Sequence, residues 1–577
     1  MPLYDLPSLS RSPYAGVVAA GLMLGVALPA LAQSSFTEDT EAGVDFRHTS
    51  GRSASKFVPE IMGSGVAWLD FDTDGRWDLY FVDGGPLPGV SPLKTTAAAA
   101  GTNRVFRGNG GRFDAAPAAG LGNRGYGMGA AAADFDNDGW IDVYVTNFGA
   151  DALLRNNGDG TFEDVSALLP TRAVWGASAA WGDLDGDSWL DLYVTNYLDY
   201  VLDSVPLCSH LDRGIRQYCP PQRLNGASDH LLHSQGGQAF VDITITAGVA
   251  NAAQGKGLAV VVVDLTEDGL PDIYVANDST GNFLYVNRGD LTFDEQGLIS
   301  GAGLNDLGQP QSGMGIDVGD LDGDQAPEIG VSNFIMEPVN LYSRVAPGLY
   351  MDASFLWGVG EPTLDTLGFG LAFLDVDGDS DLEIVVANGH ILDDHAFFEQ
   401  PNQLFHNGQA EARASGSDTR PTFAPVAGGA LARPRVSRGL AVADYNSDGR
   451  PDLAISNNDQ PAQLLMNTSD AANQRLVVRV RGTATNRDAV GATVRLIALD
   501  TDDNFVRQSA TTMSGASYLS RHSGDLHFGL GEATRTGIEI VWPDGQRADL
   551  GPVDANQLIL IRQGSGLVAT RPLGDSR

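Results

Sequence analysis

Basic charge is what this chain has least of. Its 577 residues include 36 Lys or Arg against 73 Asp or Glu, a formal net charge of −37, and the only lysines are Lys56, Lys94 and Lys256. So acidic a chain repels phosphate backbones and anionic lipid, which makes nucleic acid a poor partner. Beyond residue 32 no run of 18 apolar residues occurs, so no transmembrane segment is expected in the mature chain. There is no G-x-S-x-G, no H-E-x-x-H and no P-loop, so the common nucleophile, zinc-hydrolase and nucleotide signatures are missing. Cysteine is nearly absent too. Cys208 and Cys219 are the only two, 11 residues apart around a loop bearing Pro and Arg.

Residues 1–32 read as a Sec signal peptide. Arg11 precedes the apolar stretch Ala15–Leu28, Pro29 breaks it, and Ala30-Leu31-Ala32 fits a small-x-small cleavage site. The alternative is an uncleaved anchor. An exported chain, whether secreted, periplasmic or held at the cell surface, permits a Cys208–Cys219 disulfide, worth about 2–3 kcal/mol by loop entropy. The competing reading is a two-thiol metal site.

What the chain has in abundance is aspartate in a fixed pattern. D-x-[D/N/T]-x-D-x-x-x-[D/E] recurs seven times, with starts 64, 49, 81, 56, 55 and 69 residues apart. The first three copies place acids at Asp70, Asp72, Asp74, Asp78; at Asp134, Asp136, Asp138, Asp142; and at Asp183, Asp185, Asp187, Asp191. The fourth reads Asp264, Thr266, Asp268, Asp272 and the fifth Asp320, Asp322, Asp324, Glu328. The last two read Asp375, Asp377, Asp379, Glu383 and Asp444, Asn446, Asp448, Asp452. Three or four carboxylates in one tight turn repel one another unless a cation sits among them. An all-oxygen ligand set, with no His or Cys nearby in sequence, selects a hard ion and favours Ca²⁺, at up to seven sites. A Gly at position 6 (Gly75, Gly139, Gly269, Gly449) or position 4 (Gly186, Gly323, Gly378) permits the bend. The EF-hand is excluded, because position 12 of the second copy is Val145 and β-type sequence follows. The competing reading is an Asp-rich turn capped by its own side chains. The fourth and fifth copies are expected to be weakest, through Thr266 and through Gln325 and Pro327.

Each nonapeptide lies between β-type runs, and a second motif, clearest as LLRNNGDGTF ending at Phe162, marks a hairpin after it. Six such hairpins are complete. The seventh is split: the segment around Phe36 resembles a second hairpin strand with no first, and Gln463–Asn467 a first strand with no second. Pairing these halves closes the array, so the fold class expected is all-β: a seven-bladed β-propeller over 33–470 with a small β-sandwich-like domain over 471–577. An open β-solenoid would leave both halves unpaired.

Several stretches carry a resemblance. RNNGDGTFEDV (155–165), ANGH (387–390), QPNQLF (400–405) and RGLAVADYNSDGRPDLAISN (438–457) resemble the cartilage acidic protein family. The D-x-D-x-D-G unit itself resembles the FG-GAP/VCBS repeat of integrin α-subunit propellers. NRDAVGATVRL (486–496), SGASYLS (514–520), LHFGLG (526–531) and IVWPDG (540–545) resemble the ASPIC/UnbV domain. The resemblance implies an exported Ca²⁺-binding propeller with an appended β-domain, and little about its ligand.

The functional expectation is a non-catalytic recognition or adhesion module for extracellular protein or glycan, bound by loops on a propeller face. The inserts 197–235 and 389–430 are the expected binding surface. The alternative is an extracellular Ca²⁺-dependent polysaccharide lyase or hydrolase. Its discriminating feature is the cluster His390, Asp393, Asp394, His395 and His406, which would have to line one pocket. In the tail, Trp542 and His527 are candidate ligand contacts; the bland reading makes Trp542 core and His527 a surface strand residue.

Overall fold

The computed structural model describes residues 35–574, apart from 94–100, 123–124, 171–172, 207, 210–215, 251–254, 394, 418–419, 470–471 and 500–504. The proposed signal segment, Asp394 and Lys94 therefore lie outside the described residues.

Seven four-stranded antiparallel blades form a wheel. Blade 2 is typical: Tyr126–Ala133, Asp142–Gly149, Ala152–Asn156 and Phe162–Asp164, from axis to rim. Each nonapeptide joins the first and second strands, and each Asn/Gly hairpin joins the third and fourth. Antiparallel pairing puts both connections on one face and the other connections on the opposite face. The seventh blade joins the two ends of the array. Phe36–Glu38 pairs with Gln463–Asn467 in the register Phe36↔Asn467, Thr37↔Met466, Glu38↔Leu465, as the split hairpin requires.

Separate apolar clusters fill the gaps between neighbouring blades, and in blade 2 small residues line the strand nearest the axis. Ala130, Ala131, Ala132 and Ala133 of blade 2 are all buried. Beyond the wheel, two four-stranded sheets form the tail. One contains Leu526–Gly531, Gln474–Arg481, Gln557–Arg562 and Gly566–Pro572; the other contains Phe505–Thr511, Thr493–Leu499, Arg535–Val541 and Arg547–Asp554. They enclose their own core, to which Leu496, Phe528, Ile540 and Trp542 belong. Trp542 is thus core, as its bland reading held.

The tail does more than hang from the wheel. Its connection 512–525 enters the propeller axis. The Ser514 hydroxyl accepts the Trp181 amide at 2.6 Å, and the Ser517 hydroxyl accepts that of Leu371 at 3.1 Å. The Ser520 hydroxyl accepts the Val66 amide at 3.1 Å, and the Ser523 amide donates to the Val442 carbonyl at 2.8 Å. Ala130 donates to the Leu519 carbonyl at 3.3 Å, and Ser517 donates to Ile316. Blades 1, 2, 3, 5, 6 and 7 are thereby hydrogen-bonded to one short segment, and Gly515 packs against Val260 of blade 4. The fit demands small residues: a Cβ on Gly65 would lie 1.6 Å from the Leu519 carbonyl oxygen, and one on Gly515 2.7 Å from the Ala180 Cβ. Tyr518 reaches furthest, bonding the Met62 carbonyl at 3.1 Å and meeting the Phe369 ring edge-on. The far end of the axis is covered by the short helix Pro59–Met62, whose Ile61 carbonyl is clamped by the buried Arg438 guanidinium at 3.0 and 2.8 Å.

Leu519 is 1% exposed. Leu519→Ala is predicted to cost about 2–5 kcal/mol by leaving a cavity on the axis, whereas Leu349→Ala at the rim should cost under about 0.5 kcal/mol. Urea unfolding midpoints of the two variants check this ordering; equal midpoints would mean that the axial segment is not part of the propeller core.

Candidate metal centres

All seven nonapeptide loops follow one backbone course. The ninth residue opens the second strand, so its carboxylate starts inside the blade. One of its oxygens accepts the amide of the loop's second residue and the other accepts an amide from the third strand. In the second loop Asp142 takes Phe135 at 3.2 Å and Asn156 at 2.7 Å; in the fourth Asp272 takes Leu265 and Asn287, both at 2.9 Å. The same two contacts recur at Asp78, Asp191, Glu328, Glu383 and Asp452. The first acid accepts the amide of residue six in every loop, as Gly139 does to Asp134 at 2.8 Å. The fifth acid accepts that of residue seven, as Trp140 does to Asp138 at 2.8 Å.

Two positions in each loop, not one, have left-handed backbone. Gly occupies one of them and a side chain the other: Thr73, Asn137, Glu267 and Ser447 at position 4, and Ser188, Gln325 and Ser380 at position 6, with φ from 56° to 84°. Each such residue costs about 1–2 kcal/mol, spent on aiming alternate carboxylates at one point. This also explains why the fifth loop is built like the rest. Gln325 occupies the position that Ser takes in the third and sixth loops, and Pro327 sits at position 8, whose amide no loop carboxylate requires. Pro271 and Pro451 sit there too. The expected weakness of the fifth loop therefore has no counterpart in the geometry.

Carboxylate oxygens converge to within 4.8 Å of one another in five loops. The groups are Asp70, Asp72 and Asp78; Asp134, Asp136 and Asp142; Asp183, Asp185 and Asp187; Asp320, Asp322 and Glu328; and Asp375, Asp377 and Glu383. In the seventh loop Asn446 stands in for the third acid and accepts the Asp448 amide at 3.0 Å; its amide oxygen is an acceptable ligand for a hard cation. In the fourth, Thr266 turns its hydroxyl back to Asp272 at 3.1 Å. Buried oxygens without any hydrogen-bond donor point into three loops: Oδ1 of Asp70, of Asp136 and of Asp264. Such orphaned acceptors are what a cation site presents. Burial drives the carboxyls up, Asp142 to about 9, Asp78, Asp134 and Asp320 to about 8, and Asp183 and Asp375 to about 7. Burial is the largest cause each time; Asp322 and Asp324 add repulsion at Asp320, and Asp488 does so at Asp134.

Neighbours missed in the sequence share the charge. His233 Nδ1 lies 2.9 Å from Asp191 beside the third loop, and His406 Nδ1 lies 3.3 Å from Glu383 beside the sixth. The absence of His near the acids holds along the chain but not in space. Arg107 pairs with Asp72, and Arg413 with Asp381 at 2.6 Å. No fixed sequence spacing links these residues to the loops, because they come from the third strand or from the helix Gln409–Ser415 after it.

The tail lies on this same face and holds the loops by their backbones and their short hydroxyl side chains. Asp488 accepts the Asp134 amide at 2.8 Å, Ser188 donates to Ala484 at 2.9 Å and Ser380 to Gly529 at 3.1 Å. Gly574 donates to Ser447 at 2.7 Å, and Arg479, 3.9 Å from Asp70, is paired with Asp525 at 2.6 Å. His527 is half-buried, with both ring nitrogens closed to solvent, where the tail meets the Gly449 carbonyl, and burial is the first cause lowering its pKa, so it is an interface residue rather than a surface one.

The His/Asp cluster assembles only in part: His390, Asp393 and His395 share one face and His406 lies on the other, with Asp394 outside the described residues. His390 stacks on His395 at 4.1 Å on the face away from the loops, where Asp393 is paired with Lys56 at 2.7 Å and Arg52 at 3.1 Å. His406 lies on the loop face against Glu383 and Glu411. The first lies between strands two and three of blade 6 and the other on strand three, so the wheel separates them. The insert 389–430 divides in the same way: 389–402 lies on the far face, and the helix Gln409–Ser415 on the loop face, where Gln409 bonds the Asp322 carbonyl at 2.7 Å. The described residues of the insert 197–226 lie on the far face, stapled by the Cys208–Cys219 disulfide.

Comparison with known proteins agrees with the motifs. Residues 482–568 match the ASPIC and UnbV family, and residues 70–145, 134–194 and 264–331 match the FG-GAP-like repeat. Cartilage acidic protein 1 of Homo sapiens is 28% identical over 323 residues, 54% of this chain and 44% of the relative. That of Mus musculus is 27% identical over 326 residues, 54% and 45%. The aligned part of the chain thus spans under half the length of these relatives. A solved Agrocybe aegerita lectin that recognises non-reducing terminal N-acetylglucosamine superposes with a TM-score of 0.36 at 16% identity, covering 69% of this chain and 86% of that one; so distant a likeness carries no argument. The repeats and the tail thus match their two family models, and the likeness to cartilage acidic protein 1 extends over about half of the chain.

A linkage prediction follows from the raised carboxyls. Between their ordinary value of 3.8 and the folded values of about 7 to about 9, the ion-free fold binds more protons than the unfolded chain. Its stability is therefore greatest at the acid end of that window and is lost as pH rises. A cation bound to ionised carboxylates reverses the loss, so the rise in Tm on adding calcium to chelator-stripped protein should grow from about pH 5.5 to about pH 8.5. A calcium increment that is constant or shrinks over that range contradicts the assignment.

Proposed function

We propose that this chain of FG-GAP-like repeats with an ASPIC and UnbV tail is an exported, calcium-stabilised recognition module without catalytic activity. In this reading up to seven Ca²⁺ ions occupy the acidic loops and fix the wheel, and the opposite face meets an extracellular protein or glycan. The observation that carries it is the division of labour between the faces. The loop face is covered by the tail, leaving the far face, with its stapled insert 197–226 and the segment 389–402, as the open end of the propeller. That segment is held in place by the Asp393 pairs to Lys56 and Arg52 and by the mutual bonds of Gln400 and Arg435 at 2.8 and 3.0 Å. It presents Phe397 68% exposed, and Val201 across the face is 57% exposed. Preordered loops with exposed apolar tips lose little entropy on binding.

The alternative, calcium-dependent polysaccharide cleavage, needs an acid and a base beside one bond. The separation of His406 from His390 and His395, and the engagement of Asp393 by Lys56 and Arg52, count against that reading.

Binding of the mature chain to an array of extracellular glycans and matrix proteins tests the proposal. A saturable ligand whose affinity falls at least about tenfold in Phe397→Ser or Val201→Ser, both exposed and therefore nearly neutral to folding, is the expected result. A ligand unaffected by either substitution would place recognition elsewhere.

A further inference from the structure

A cavity of 440 Å³ lies between the tail and the loops of blades 1 and 2. Its lining gathers four arginines, Arg481, Arg487, Arg521 and Arg562, in a chain that has few basic residues. Their arrangement is unusual for a merely structural role. Arg481 and Arg562 are register partners on neighbouring parallel strands, where like charges repel. Arg562 is exposed and has no carboxylate partner among the described residues. Arg487 is exposed at the same mouth, and its Nε reaches only the Asn137 carbonyl at 3.4 Å. Arg521 forms the floor, 4% exposed. Its Nη1 donates to the Trp68 carbonyl, while its Nε is buried without any acceptor.

The acids in the wall are committed elsewhere. Asp70 and Asp134 hold the amides of their own loops, and Asp488 accepts the Asp134 amide at 2.8 Å while lying 3.5 Å from Arg481. Apart from Asp70 Oδ1, which faces the first loop's candidate metal position, the cavity leaves guanidinium donors unsatisfied. Guanidinium forks match planar and tetrahedral oxyanions, and the volume is within the range of about 300–1,000 Å³ that small-molecule sites occupy.

We propose that this cavity is a binding site for a small ligand bearing a carboxylate or a sulfate ester, the groups of acidic sugars, with Arg562 and Arg481 receiving the anion at the mouth and Arg521 holding it at the floor. The site lies on the loop side of the wheel and does not depend on the far face binding anything.

Isothermal titration calorimetry of the calcium-loaded full chain, with sodium sulfate in one arm and sodium glucuronate in the other at low chloride, tests it. Saturable binding of at least one anion is expected, weakened at least about tenfold by Arg562→Gln and by Arg481→Gln; the exposed Arg562→Gln should change Tm in the absence of anion by under about 1 °C, while the Tm of Arg481→Gln reports separately on its lost pairing with Asp488. Arg521→Gln should abolish binding, and its Tm reports separately on the lost Trp68 bond. The arm that binds tighter identifies the anion. No saturable heat from either anion up to about 50 mM, or binding that both Arg562→Gln and Arg481→Gln leave unchanged, overturns the proposal.

Discussion

Carboxylates buried at the start of a β-strand are the constraint on which this molecule is organised. The ninth acid of each loop must accept two amides from inside its blade, which fixes it in a dry place. The first, third and fifth acids must cap the turn, which crowds them against it. No rearrangement of side chains relieves that crowding without undoing the turn. Charge compensation has to come from outside the loop, from arginine and histidine on neighbouring strands in part and, in the proposed reading, from calcium for the remainder. The acidity of the whole chain is thus largely a property of seven turns.

The same turns position the tail. Because the loops present amides, carbonyls and short hydroxyl side chains at fixed points, the tail can hold the first, second, third, sixth and seventh of them through contacts to backbone and to short side chains. Its axial segment bonds six blades at once. A propeller closed only by its seventh blade has one seam; here a second element ties the blades at the hub. The blade that receives no hydrogen bond from the axial segment is the fourth, whose loop also carries Thr266 in place of an acid.

Much of this was legible in the sequence because it was repeated. Seven copies of one nonapeptide identify the blades, and the unpaired halves around Phe36 and Gln463–Asn467 identify the closure. The two cysteines identify the staple. What was not legible depends on which face a connection lies on. His390 and His406 are close in sequence and far apart in the wheel, whereas His233 is distant from Asp191 in sequence and touches it. The segment Ser514–Ser520 gave no periodic signal, because a chain threading an axis obeys neither strand nor helix spacing; its motif SGASYLS marked the tail's family, and its small and hydroxyl residues hinted at a tight, hydrogen-bonded path. The second left-handed position in each loop was hidden because Thr, Asn, Ser, Gln and Glu occupy it in place of Gly.

The most direct test of the account is anomalous diffraction from crystals grown in millimolar calcium. The account predicts anomalous density between the first-, third- and ninth-position oxygens in the first, second, fifth and sixth loops and beside Asp183, Asp185 and Asp187 in the third. Well-ordered loops with no such density, their carboxylates turned outward to solvent, would contradict it.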